Sequence, residues 1–233
     1  MTRSRFIVLT LLICSTLPFT LAHPLKAQPV TDFEESMRAF EELDRQNTYS
    51  PESIFFTGSS SIRMWETLER DMAPHAVIQR GFGGSRMADL LYYADRYIKP
   101  HTFQAMVLFV ANDITGSEEH DITPRQVAAQ FEEFILKMKG YQPDLNLFIV
   151  EVTPTNARWI VWPENRAANN LIAKLADQHE NVIFIPTKDL FLTSEGTPND
   201  ELFLSDRLHL NERGYEVWNK RIRSYLDPVL LDR

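Results

Sequence analysis

Ile54-Phe55-Phe56-Thr57-Gly58-Ser59-Ser60-Ser61 joins a continuous apolar run to a turn of glycine and serines. A strand that alternated apolar and polar residues would have one wet face, whereas an unbroken run is what a strand buried on both faces needs. Similar short runs recur at 77–79, 105–110, 145–150 and 182–185. Between them, 87–97, 124–139 and 164–178 read as amphipathic helices, and 211–226 closes the chain with a helix of its own. Strands alternating with helices predict an α/β domain over 51–233, with a five-stranded parallel sheet between helical layers.

Local signals support the helix ends. Thr123 can cap the helix that Pro124 opens, because proline lacks the amide hydrogen for which a first helical turn has no acceptor. Gly140 is the expected stop of that helix, since glycine tolerates a left-handed backbone. Phe33, Met37, Phe40 and Leu43 recur at three- and four-residue spacing, so 28–50 is expected to carry an amphipathic helix packed on the domain in a structural role.

Arg3 and Arg5 precede a run from Phe6 to Ala22 without a charged residue, interrupted by Pro18 and followed by a polar segment. This order predicts a secretory signal peptide over 1–27, cleaved after Ala22 or Ala27, rather than a membrane anchor. The mature protein is therefore expected to be secreted or periplasmic. Its only cysteine, Cys14, leaves with the leader, so an ordinary buried core rather than a disulfide must hold it. Losing Arg3, Arg5 and Lys26 changes the net charge from −8 to −11, which argues against nucleic acid or an anionic membrane surface as partner.

Ligands of an open α/β sheet bind beyond the carboxyl ends of its strands. The loops expected there hold Gly58-Ser59-Ser60-Ser61, Gly81-Phe82-Gly83-Gly84-Ser85, Asn112-Asp113 and, further on, Asp206-Arg207-Leu208-His209. A serine hydroxyl attacks at neutral pH only when a base takes its proton, and Asp206 with His209 supplies a base and an acid to orient it. The Ser60 and Gly84 amides and the Asn112 side chain could form the oxyanion hole. Ser59 and Ser61 are expected to cap a helix or fix the loop; the alternative to a functional glycine block is that Gly81, Gly83 and Gly84 only form a loop needing positive backbone angles. Arg158, Trp159 and Trp162 follow the fourth strand, where they could contact substrate or pack as a lid. No His-x-x-x-His spacing suggests a zinc site.

In these four blocks the chain resembles the SGNH, or GDSL-like, hydrolases over nearly its whole mature length. Gly58-Ser59-Ser60, Gly83-Gly84, Asn112-Asp113 and Asp206-x-x-His209 match the family's blocks in order. The resemblance implies a flavodoxin-like three-layer fold and hydrolysis of a small-molecule or carbohydrate ester through an acyl-enzyme, without a metal or organic cofactor. It assigns Ser60 as nucleophile, Asp206 and His209 as the pair behind it, and Ser60, Gly84 and Asn112 as oxyanion donors. Two features depart from it: Ser59 stands where aspartate is usual, and Phe109-Val110-Ala111 lacks the glycine normally found before Asn112. The alternatives are an envelope acyltransferase, a non-catalytic carbohydrate-binding relative, and a flavodoxin-like binder cradling a phosphate or FMN on 57–61.

Overall fold

The computed structural model describes residues 32–117 and 119–231. The leader expected over 1–27, with Cys14 and the cleavage points after Ala22 and Ala27, lies outside the described residues. The strands are β1 (Ile54–Gly58), β2 (Val77–Gly81), β3 (Ala105–Phe109), β4 (Asn146–Val150) and β5 (Val182–Ile185). All neighbours pair in parallel, in the order β2-β1-β3-β4-β5. The helices are α1 (Glu34–Gln46), α2 (Ser60–Arg63), α3 (Leu68–Met72), α4 (Met87–Tyr97), α5 (Pro124–Tyr141), α6 (Trp162–Ala176) and α7 (Glu212–Leu230).

Successive strand side chains point to opposite faces, and both faces are covered. Phe55 packs into one core with Leu90 of α4, Phe131 of α5 and Ile172 of α6. Its neighbours Ile54 and Phe56 belong to a second core with Ile62 of α2, Leu68 of α3 and Trp218 of α7. The crossover from β1 to β2 runs through α2 and α3, and those from β2 onward through α4, α5 and α6 on the opposite side. The chain therefore reverses its direction of travel between β1 and β3, and a crevice opens where their loops part.

Element ends follow local chemistry. Thr123 accepts a hydrogen bond from the Gln126 amide at 3.3 Å, and the Gln126 side chain accepts from the Thr123 amide at 2.9 Å. Gly140 does not end α5; the helix continues to Tyr141, whose hydroxyl donates to Asp95 of α4 at 2.8 Å. Pro143 sets the stop, because the residue before a proline is pushed out of the helical region, and Gln142 is extended. α6 starts at Trp162, two residues before the expected 164, because a 3₁₀ turn over Asn156–Val161 feeds directly into it. α1 buries Met37 fully and is held by Arg96 of α4, which bonds Glu34 and Glu41 at 2.6 Å each.

Candidate active site

β1 ends at Gly58 with φ +136°, and a Cβ there would lie 1.8 Å from the Phe109 carbonyl oxygen. Only glycine allows this approach of β1 to β3. The Ser59 amide then donates to that carbonyl at 3.0 Å, and the Ser59 carbonyl accepts from the Ile62 and Arg63 amides at 3.1 and 3.2 Å. Ser60 thus opens the short helix α2. The expectation that the Ser59 side chain caps α2 is corrected: its hydroxyl makes no capping bond, since its own carbonyl already takes those amides. Ser61 fixes the loop through its backbone instead, its carbonyl accepting the Tyr215 hydroxyl at 2.9 Å.

Hydrogen bonds tie the three strand-end loops together. The Gly58 carbonyl accepts from the Phe82 amide at 2.9 Å and the Ser85 hydroxyl at 3.3 Å, and the Ser85 carbonyl accepts from Asn112 Nδ2 at 3.0 Å. Of the three glycines Gly81, Gly83 and Gly84, only Gly84 has a positive φ, at +83°. Gly81 and Gly83 serve close packing instead: a Cβ on Gly81 would sit 2.4 Å from the Arg63 amide nitrogen, and one on Gly83 would sit 3.0 Å from Arg63 Nε. Among the described residues neither the Ser60 amide nor the Gly84 amide has a protein acceptor.

Asn112 is held from both sides. Arg158 donates through Nη2 to Asn112 Oδ1 at 2.7 Å and through Nη1 to the Ala111 carbonyl at 2.6 Å. A guanidinium only donates, so the amide oxygen must face Arg158 and the amide nitrogen the opposite way. One Nδ2 hydrogen reaches Ser85, which leaves the other for a further acceptor. Sequence reasoning placed Arg158 at this edge as a substrate contact or part of a packed lid and missed this clamping task. Beside it Asp113 accepts from the Met87 amide at 3.3 Å and anchors the start of α4. Burial pushes the Asp113 carboxyl up to about 7, against the opposing pull of that amide.

The turn before α7 supplies the remaining groups. Phe203 and Leu210 form an antiparallel bridge, the Leu204 amide donates to the His209 carbonyl at 2.7 Å, and Arg207 takes a left-handed φ of +54°. This geometry folds Asp206 back under the imidazole. Asp206 Oδ1 accepts from the Leu208 and His209 amides at 2.9 and 3.0 Å, and Oδ2 lies 2.7 Å from His209 Nδ1. Partial burial disfavours the charged carboxyl, but the hydrogen bonds from His209 and the two amides outweigh it and hold Asp206 below the usual carboxylate range. His209 Nε2 stands 2.8 Å from Ser60 Oγ across the crevice. Carboxylate, imidazole and hydroxyl thus form one hydrogen-bonded line that can move a proton off the hydroxyl.

The model of the GDSL-like Lipase/Acylhydrolase family matches residues 49–217, well over half of the sequence. The chain belongs to that family. As a GDSL-like acylhydrolase it is a carboxylic ester hydrolase by class. Comparison with curated proteins gave no significant match. Among solved structures the chain is similar to a GDSL-like lipase from Bacteroides thetaiotaomicron, with a TM-score of 0.69 at 12% identity over 83% of this chain and 98% of that one. It is also similar to the acetyl xylan esterase AlAXEase (TM-score 0.62, 21% identity, 74% and 98% covered). A lipase/acylhydrolase from Enterococcus faecalis gives a TM-score of 0.61 at 19% identity, with 76% and 96% covered. At these identities the likeness is one of fold.

In this GDSL-like acylhydrolase two spaces meet at Ser60. A narrow, partly open pocket lies beside it, walled on its apolar side by Phe109, Val152, Trp162, Leu210 and Trp218. An open cleft of about 500 Å³ lies on the other side, lined by Arg63, Gly83, Gly84, Asn112 and Arg158. Ser36 of α1 also lines the cleft, so the N-terminal helix, expected to be structural only, contributes to the site. Trp159 stacks on Trp162 with ring centroids 6.1 Å apart, packing as a wall rather than standing free.

Proposed function

We propose that this acylhydrolase is an exported serine esterase that removes short acyl groups, acetyl above all, from carbohydrate or other small alcohols. The observation that carries the reading is the line Asp206–His209–Ser60, at 2.7 and 2.8 Å, aimed at a hydroxyl flanked by unpaired amides. Ser60 Oγ attacks the ester carbon while its proton passes to His209 Nε2, and charge gathers on the carbonyl oxygen. The Ser60 and Gly84 amides and the second Asn112 amide hydrogen receive that charge. The C–O bond to the alcohol breaks as His209 returns the proton to it, leaving Ser60 acylated. Water attacks the acyl-enzyme with His209 again as base, releasing the acid and restoring the serine.

Short acyl groups suit the narrow pocket beside Ser60, whose apolar wall of Phe109, Val152, Trp162 and Trp218 leaves little room. A carbohydrate alcohol suits the open cleft, and the similar fold of an acetyl xylan esterase makes acetylated sugars the first substrates to try. Export rests on the Arg3, Arg5 and Phe6-to-Ala22 pattern. A flavin- or phosphate-binding role leaves Asp206 and His209 without a task. Transfer of the acyl group to a sugar needs the same acyl-enzyme, so products formed with and without added xylo-oligosaccharide separate transfer from hydrolysis. The chain-length test uses p-nitrophenyl acetate, butyrate and octanoate: kcat/KM is expected to fall at least about tenfold from acetate to octanoate. A rise along that series contradicts the short-acyl reading.

A further inference from the structure

The open cleft beside Ser60 carries a charge that the catalytic line does not use. The sequence holds 32 acidic against 24 basic residues, yet the cleft is lined by two arginines, Arg63 and Arg158, and no carboxylate. Arg63 is exposed at the end of α2, its side chain laid along Gly83 where a Cβ would stand 3.0 Å from Nε. Among the described residues its guanidinium has neither a hydrogen-bond nor an ion-pair partner. Arg158 is largely desolvated, and burial pulls its pKa below the usual arginine value. Its hydrogen bonds go to neutral acceptors, the Ala111 carbonyl and Asn112 Oδ1, while Asp121 and Asp113 act on it only through space.

Two cations facing one space that no carboxylate lines favour an anion in that space, because a partly desolvated charge gains most from an opposite charge brought close. The oxyanion formed during attack meets part of that demand, but it lies at Ser60, Gly84 and Asn112 and not at Arg63. Arg63 lines the cleft and not the narrow pocket assigned to the acyl group, so the anion belongs to the alcohol portion of the ester, which occupies the cleft. We propose that the preferred substrates are esters whose alcohol carries an anionic group, a carboxylate or a phosphate, set against Arg63 and Arg158. The inference rests on the esterase reading and narrows its substrate class.

The test compares 4-acetoxybenzoate with its neutral methyl ester, and 4-acetoxyphenyl phosphate with 4-acetoxyanisole, in the wild type and in Arg63→Gln and Arg63→Glu. Arg63 is exposed, so these variants are expected to fold, which thermal unfolding checks. The ratio of kcat/KM for the anionic over the neutral ester is expected to fall about fivefold to tenfold in Arg63→Gln and further in Arg63→Glu. A larger fall in the first pair assigns the site to carboxylates, and in the second pair to phosphates. If the wild type turns over the neutral esters but both ratios stay within twofold in both variants, the anion site is overturned while the esterase reading stands. If the wild type turns over none of the four esters and Ser60 takes no fluorophosphonate, the esterase reading has failed and this inference with it.

Discussion

Arg158 Nη2 donates to Asn112 Oδ1 at 2.7 Å, and this one bond decides which way the Asn112 amide points. Phe109-Val110-Ala111 lacks the glycine usual before this asparagine, and the same guanidinium holds the Ala111 carbonyl at 2.6 Å. The loop after β4 thereby fixes the loop after β3.

Arg158→Met is expected to free the Asn112 amide to rotate. Losing an oxyanion donor outright typically costs about 10²–10³ in kcat, and loosening one should cost roughly 10- to 100-fold. Steady-state kinetics on p-nitrophenyl acetate should show the loss mainly in kcat. Lysine cannot bridge both acceptors as a planar fork does, so Arg158→Lys should recover only part of it. A change confined to KM contradicts the positioning role.

Asp206 is held below the usual carboxylate range, so it stays charged at pH values where an ordinary carboxylate begins to protonate. A protonated His209 cannot accept the serine proton. The acid limb of log kcat/KM should therefore have unit slope, reporting one proton, and a slope of two would show that Asp206 titrates with it. The lowered carboxyl also adds stability that is present above the ordinary carboxylate value and lost as pH falls through the lowered one. With 46% of its side chain exposed, solvent screens that contribution. Asp206→Asn should lower kcat by roughly 10²–10⁴.

Asp113 behaves in the opposite sense. Its folded-state carboxyl is raised to about 7 by burial, so the folded protein binds a proton that the unfolded chain has released. Stability should decline as pH rises from about 4 to about 7, by at most a few kcal/mol, and level off above that. Asp113→Asn keeps an acceptor for the Met87 amide and should flatten this decline in urea titrations run across the range. An unchanged slope in the variant would show that Asp113 is not its source.

Much of this arrangement was legible in the sequence. The strands showed as short, largely apolar runs because both faces of the sheet are covered, although Gln79 and Arg80 interrupt β2 and Asn146 opens β4, and α4 was delimited correctly at Met87 and Tyr97 because it is long enough to display its period. α2 and α3, with four and five residues, are too short for periodicity to reveal. Gly140 misled because a local glycine signal lost to Pro143 three residues later. In the site, Ser60, Asp206 and His209 could be read from residue type and order. The tasks of Arg158 and Ser36 could not, since each depends on a contact between segments far apart in the chain. The same holds for Gly81, whose smallness matters only once the Arg63 backbone lies against it.

The central claim is that the Ser60 hydroxyl, 2.8 Å from His209 Nε2, is the attacking group. Turnover of p-nitrophenyl acetate by folded Ser60→Ala, set beside the wild type, tests it most directly. The variant should lose roughly 10⁴-fold or more in kcat while keeping the wild-type unfolding midpoint within a few degrees. Full activity in that variant would contradict the account.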